Sequence, residues 1–303
     1  MKGHRSSPKL NNKNRWLVIV FIAIVLASVT IAISFYYIGI MRPTASTTTP
    51  PKFKIREIYA TKPGGREWFI NMNDPTSDGI FHPGSQISKQ ADESWQVEGR
   101  QTNSKFGNEV RMGVYTPPGE EPWKNVEITG YAKVISANSL SDDHLDWYAR
   151  GGIHTPNDPC EGSALKGWLS VSGIASWVKE IWFPGGYTDQ RDIVHATSDD
   201  NPILGRWIGW KVVMYNINNN NAVKMESYLD DQDNNHWKKV TSLVDDGGWY
   251  ARASDEDFYS AGCGKPKDYI ITNAGPVATF RSDNMIWDFT DLSIREIQPP
   301  NLA

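Results

Sequence analysis

The chain has 303 residues, with 31 Lys and Arg against 35 Asp and Glu, two Cys and 13 Trp, for a formal charge of −4. Residues 1–52 hold seven Lys or Arg and no acid, so the remainder carries 24 basic and 35 acidic residues, a formal −11. Such an acidic body excludes nucleic-acid binding that relies on a broad basic footprint, and two Cys 103 positions apart exclude a Cys/His zinc cluster.

The first 15 residues form a basic tail with Lys2, Arg5, Lys9, Lys13 and Arg15. Residues 16–40, WLVIVFIAIVLASVTIAISFYYIGI, contain no charge. At about 1.5 Å per residue a helix of that length exceeds the roughly 30 Å hydrocarbon core, so a single membrane-spanning helix is expected, with the tail in the cytoplasm by the positive-inside rule. A cleaved signal peptide is the competing reading. It has an apolar core of only about 7–15 residues, whereas this stretch is longer and ends near Phe35, Tyr36 and Tyr37, which suit a membrane interface. Residues 41–52 include TASTTTPP, the composition of an extended stalk. Residues 53–303 are expected to form one extracellular domain attached to the cell membrane.

Beyond the stalk, apolar residues recur with a period near two between turn clusters, and no long stretch has a period of 3.6. Strands are expected over 95–101, 108–115, 126–136, 146–154, 167–171, 177–183, 207–217, 222–229, 237–243, 270–273, 277–281 and 292–297. A dozen strands require two stacked antiparallel sheets. The near-repeat IREI at 55–58 and 294–297 predicts two strands of the same sheet. Asp255, Glu256 and Asp257 read as a loop. Most of the body's 12 Trp are expected in the core. Cys160 and Cys263, in an oxidising compartment, have one connectivity open to them as a disulfide; buried free thiols are the other reading.

Residues 230–235, DDQDNN, offer oxygen ligands at alternate positions, with Asp231, Asp233 and Asn235 as candidate ligands for Ca²⁺. The loop lacks the sixth-position glycine and closing glutamate of an EF-hand, which favours a polar hairpin turn. No cofactor is otherwise called for.

Several strands set charge on one side and apolar bulk on the other. Glu109 and Arg111 share a face; so do Tyr148, Arg150, Gly152 and His154; so do Lys211 and Tyr215; so do Lys224, Glu226 and Tyr228. These faces read either as solvated surface or as one locally basic groove for a carboxylated or otherwise polar glycan, with Gly151 and Gly152 leaving backbone open to a flat ring.

The succession EVRM, GIH, VATFRSD and LSIREI resembles the concanavalin A-like jelly rolls, in particular polysaccharide lyases of the alginate and glucuronan lyase type, over residues 65–297. Those enzymes carry R-S/T-E-L-R, Q-I/V-H and Y-x-K-x-G-x-Y strands across one sheet. The resemblance implies a jelly-roll sandwich in which Arg111 neutralises a uronate carboxylate, His154 or a tyrosine takes the C5 proton, and a phenol protonates the leaving oxygen. The sequence departs from the pattern at Gly107 and Gly152, which replace the first Arg and the Gln, and at residues 277–281, VATFR, which has Arg281 but no tyrosine. Tyr148 and Tyr215 are the candidate phenols, and Arg281 joins the ligand-binding set.

Three functions follow: a polysaccharide-binding protein, an active lyase of uronate polymers, and a structural or adhesion ectodomain. Hydrolases are disfavoured, because no E-x-D-x-x-E strand and no G-x-S-x-G elbow occurs.

Overall fold

In the computed structural model, which describes residues 55–99, 109–152, 160–198 and 201–300, the period-two runs form strands. In chain order these are β1 (Glu67–Phe69), β2 (Phe81–His82), β3 (Ile87–Lys89), β4 (Trp95–Glu98) and β5 (Glu109–Tyr115). Next come β6 (Val126–Ser136), β7 (His144–Gly151), β8 (Ala164–Ser170), β9 (Ile174–Glu180) and β10 (Arg191–His195). β11 (Trp207–Ile217), β12 (Ala222–Asp230), β13 (Lys238–Asp245), β14 (Val277–Asp283) and β15 (Ile286–Glu296) follow.

Among the described residues these strands make two antiparallel sheets. One runs β13-β12-β11-β6-β15-β4-β3, with β1 also beside β15; the other runs β10-β9-β8-β7-β14-β5-β2. The all-β class and the two-sheet sandwich are as the periodicity predicts, in an arrangement consistent with a jelly roll. The basic tail, the span 16–40 and the stalk lie outside the described residues. Among the described residues no helix is long and apolar enough to cross a membrane.

Inner faces supply the core: Val110, Met112 and Val114 from β5, Leu145 and Trp147 from β7, and Trp210, Val212 and Met214 from β11. Nine of the twelve body Trp are buried. Gly167 on β8 faces Val212, whose Cγ1 would stand 2.3 Å from a Cβ at that position, so a glycine is required for the sheets to meet there. Cys160 and Cys263 are disulfide-bonded, with Cα atoms 5.1 Å apart.

Three expectations are corrected. Residues 270–273 form no strand, although Ile271 is buried in the core. Asp255, Glu256 and Asp257 are the first turn of a short helix, α1 (Asp255–Ser260), where acids suit the positive helix end and Ser254 caps the Asp257 amide at 3.0 Å. Residues 55–58 form no strand and so do not join 294–296 in a sheet; β15 is paired there by β1 on one side and β6 on the other.

Instead the segment 55–61 crosses the outer face of the eight-stranded sheet. Ile55, Ile58 and Tyr59 pack against Val213, Tyr215, Tyr228 and Ile297. Beneath it Glu127 accepts from the Ile58 amide at 3.1 Å and pairs with Arg295 at 2.9 Å and with Lys211. Lys211 also donates to the Arg56 carbonyl at 3.0 Å, and the Tyr59 hydroxyl donates to Glu226 at 2.6 Å.

Burial alone would raise the Glu127 carboxyl, but Lys211 and Arg295 outweigh it and hold the group below its ordinary range. A depressed carboxyl stabilises the fold above its unfolded pKa of about 4.3, and that stabilisation is lost as pH falls through the lower folded value. Glu127→Gln is therefore expected to cost about 3–5 kcal/mol at neutral pH, since it leaves two buried cations short of their anion. In urea titrations its deficit against the wild type narrows below about pH 4.

Candidate functional site

The candidate residues do not converge on one groove. Glu109, Arg111, Tyr148 and Arg281 stand on the outer face of the seven-stranded sheet, whereas Lys211, Tyr215, Lys224, Glu226 and Tyr228 stand on that of the eight-stranded sheet. Outer faces of a sandwich point away from each other. Alternation assigns a residue to one face of its strand but says nothing of which sheet the strand joins. In the eight-stranded sheet Lys211, Tyr215, Glu226 and Tyr228 are buried under residues 55–61, with Lys224 half-buried beside them. Burial and then Glu226 hold the Tyr228 phenol well above its ordinary range, and burial raises that of Tyr215.

Arg150 also leaves the expected face. The register of β7 against β14 slips between Tyr148 and Gly151, and Arg150 adopts a φ of 65°. Its side chain turns onto neighbouring loops, donating to the Lys124 carbonyl at 3.0 Å, the Ile271 carbonyl at 2.9 Å and Asn216 Oδ1. Burial pushes its guanidinium downward. Gly151 and Gly152 line a pocket of about 370 Å³ with Glu161, Gly162 and Asn273. His154 lies outside the described residues.

The expected cation loop is the turn of the β12–β13 hairpin. Asp230 closes it by accepting from the Asn234 and Asn235 amides at 3.2 and 2.6 Å. Asp233 and Asn235 adopt φ of 51° and 61°, which these residue types tolerate. Asp231 pairs with Arg206 at 2.6 Å, and Asn235 accepts from Arg56 and Trp237 at 2.9 Å each. Among the described residues no three His, Cys, Asp or Glu are grouped to hold a metal ion.

On the seven-stranded sheet the register sets the outer face in rows. Arg111, Arg281, Asp146, Trp168 and Ser176 lie side by side across β5, β14, β7, β8 and β9. One neighbouring row holds Glu109 and Asp283, continued by His144 and Ser170. The other holds Gly113, Thr279, Tyr148 and Lys166, with Tyr115 beyond it opposite Val277.

Ion pairs fix this face. Arg281 Nη2 donates to Glu109 and Asp283 at 2.8 Å each, and Nη1 lies 3.5 Å from Asp146. Arg111 pairs with Glu109 at 2.5 Å. Lys166 Nζ stands 2.7 Å from Glu180 and 3.8 Å from Asp146, about 5 Å from the rings of Tyr148 and Tyr187. Burial alone would lower the pKa of Arg281 and of Lys166, but the surrounding carboxylates raise both. Burial, above all, pushes the Tyr187 phenol up to about 12. Arg111, Glu109, Tyr115, Trp168 and Asp283 remain half-buried. Four carboxylates, Glu109, Asp146, Glu180 and Asp283, face three cations, so the expected basic groove is a balanced, slightly acidic face.

Asp146, Lys166, Trp168, Glu180, Tyr115 and His144 were not anticipated as site residues. Asp146 was legible, because it alternates with Tyr148. Lys166 was not: the strand was expected to begin at 167, and the observed strand begins at Ala164.

No protein-family model matches the chain, and no curated protein matches it. Among solved structures, the chain is similar to arcelin-5, a lectin-like defence protein from Phaseolus vulgaris, at 8% identity and a TM-score of 0.43, covering 76% of this chain and 97% of that one. It is similar to an alginate lyase in complex with an alginate tetrasaccharide at 11% identity and a TM-score of 0.39, over 77% and 97% of the two chains. A Bacillus subtilis protein with a galectin-like fold matches at 9% identity and a TM-score of 0.43, over 80% and 100%. Likeness at this level carries no argument about ligand or activity.

Arg281→Ala would leave Glu109, Asp146 and Asp283 without their shared cation, and is expected to cost about 3–5 kcal/mol of unfolding free energy. Arg111→Ala, with a side chain 28% exposed, is expected to cost no more than about 1 kcal/mol. Parallel urea titrations of the two variants measure the contrast.

Proposed function

We propose that this chain is a membrane-anchored polysaccharide-binding protein of concanavalin A-like, jelly-roll kind. Residues 16–40 span the cell membrane, the tail is cytoplasmic, and residues 53–303 face outward and bind a polar glycan on the outer face of the seven-stranded sheet. The observation that carries this reading is the registered row of Arg111, Arg281, Asp146 and Trp168, flanked by Tyr148 and Tyr115. Sugars present polar edges and apolar ring faces, and this surface sets ion-paired, immobilised hydrogen-bonding groups beside half-buried rings. The anchor is supported by the uncharged 25-residue stretch and its basic flank. The balance of carboxylates over cations favours an uncharged glycan over a uronate. β-Elimination is the second reading, favoured by Arg111 and Tyr148 sharing this face, with His154 as its base.

Retention of the full chain, in detergent, on immobilised glucans, mannans, galactans, alginate and glucuronan tests the proposal. Retention on a neutral polymer is expected, weakened about tenfold in Trp168→Ala, which corresponds to about 1.4 kcal/mol, and unchanged in Tyr215→Phe. Growing ultraviolet absorbance from an unsaturated uronate would move the reading to a lyase. Retention on none of the polymers would move it to protein–protein adhesion.

A further inference from the structure

Two aromatic side chains on the outer face of the seven-stranded sheet keep their polar tips unused. Tyr115 ends β5, and its ring lies over Gly113, where a Cβ would come within 3.1 Å of a ring carbon. The exposed imidazole of His82 meets that ring edge-on, with centres 4.8 Å apart. Trp168 stands on β8 against His144, with ring centres 3.9 Å apart and planes tilted by 35°. Among the described residues neither the Tyr115 hydroxyl nor the Trp168 indole nitrogen has a hydrogen-bond partner. Both rings are half-buried, so each offers apolar surface with a hydrogen-bonding atom at its rim.

The register sets these rings at opposite corners of the face. Tyr115 is opposite Val277 of β14, whereas Trp168 is opposite Asp146 of β7, itself opposite Arg281 of β14. The two are therefore offset by the four positions from Val277 to Arg281 along the strands, and by the three steps β5-β14-β7-β8 across them. At about 4.8 Å per strand and about 3.4 Å per residue the diagonal is about 20 Å, the length of about four linked pyranose rings. The side chains beneath that line lie low: Thr279, Tyr148 and Asp146 are 2%, 9% and 3% exposed.

We infer that Tyr115 and Trp168 are the two ends of one elongated site, which takes a linear oligosaccharide of about four rings on a diagonal across β5, β14, β7 and β8. A ring of the chain lies on each aromatic and hydrogen-bonds the polar atom at its rim. The inference rests on the glycan-binding reading and deepens it, fixing the ligand as a stretch of chain. One or two rings meet a single platform. A chain that reaches both makes its second contact intramolecularly, so affinity rises with length until the span is reached and then levels off.

Isothermal titration of the full chain in detergent with linear glucose, mannose and galactose oligomers tests the span. In the series that binds, the tetraose is expected to bind about tenfold more tightly than the biose, and the hexaose to gain no more than about a further threefold from its extra registers. Tyr115→Ala and Trp168→Ala are each expected to bring tetraose affinity down to that of the biose. Either change alters biose affinity by less than about twofold, because the biose keeps the other platform. If Trp168→Ala proves unstable, Tyr115→Ala and the wild-type length series decide. A tetraose bound no tighter than the biose, or a tetraose affinity untouched by Tyr115→Ala, would overturn the span while leaving the glycan-binding face standing. Absence of binding by every oligomer would overturn both.

Discussion

A charge that leaves water must meet a counter-charge or a set of hydrogen-bond partners, and both sheets of this sandwich are organised by that requirement. In a half-solvated sandwich the outward positions of each strand would be hydrated. Here many of them are charged and nevertheless buried: Lys211, Glu127 and Arg295 on one sheet, and Lys166, Glu180, Asp146 and Arg281 on the other. Between the sheets Lys179 of β9 pairs with Asp245 of β13 at 2.9 Å. Burial opposes that pair from both ends, pushing the lysine down and the aspartate up. These pairings restrict the rotamers of side chains that would be free in water, which lowers the ordering cost any ligand contact with them would carry.

The two outer faces answer the requirement differently. On the eight-stranded sheet the chain covers its own charges, and residues 55–61 supply carbonyl, amide and phenol partners to Lys211, Glu127 and Glu226. That face is consumed by the fold, with Tyr131, Val213, Tyr215, Tyr228 and Trp237 packed together on it. On the seven-stranded sheet the ions pair among themselves within the plane of the face, and Arg111, Tyr115 and Trp168 stay half-buried. The asymmetry is the reason the proposed glycan-binding face is assigned to the second sheet.

Much of this architecture was legible in the sequence, and the limits of that legibility are physical. Long alternating runs bound by turn residues gave the strands 126–136 and 207–217 to the residue. Edge strands of two to five residues, β1, β2, β3 and β10, carry too few alternations to register as a period. Alternation also set Arg111 with Glu109, and Lys211 with Tyr215, on shared faces. It could not report that β5 and β11 enter different sheets, which is a matter of long-range pairing. Arg150 failed for a local reason, since a one-residue slip in β7 reverses a side chain and no composition signal marks it. The repeated IREI misled because four matching residues do not fix a strand: residues 55–58 lie across the outer face of the sheet, packed on it by Ile55 and Ile58, while the same letters at 294–297 run into β15.

The carboxylates of the seven-stranded face raise the question of hydrolysis, for which a pair of acids is the usual machinery. Asp146 and Glu180 stand on opposite sides of Lys166, and both lie close enough to its ammonium to form a compact triad. A general acid must touch the glycosidic oxygen it protonates, and the second carboxylate must reach the anomeric carbon or the attacking water. The side chains of Asp146, Lys166 and Glu180 are 4%, 4% and 1% exposed, and the rings of Tyr148 and Tyr187 lie about 5 Å from the ammonium. Such a triad supports the face from beneath. The carboxylates of this face that stand nearer the solvent are Glu109 and Asp283, both half-buried and both held at 2.8 Å by the same nitrogen of Arg281. The guanidinium of Arg111 and the rings of Tyr115 and Trp168, also half-buried, suit this face to holding a sugar in register.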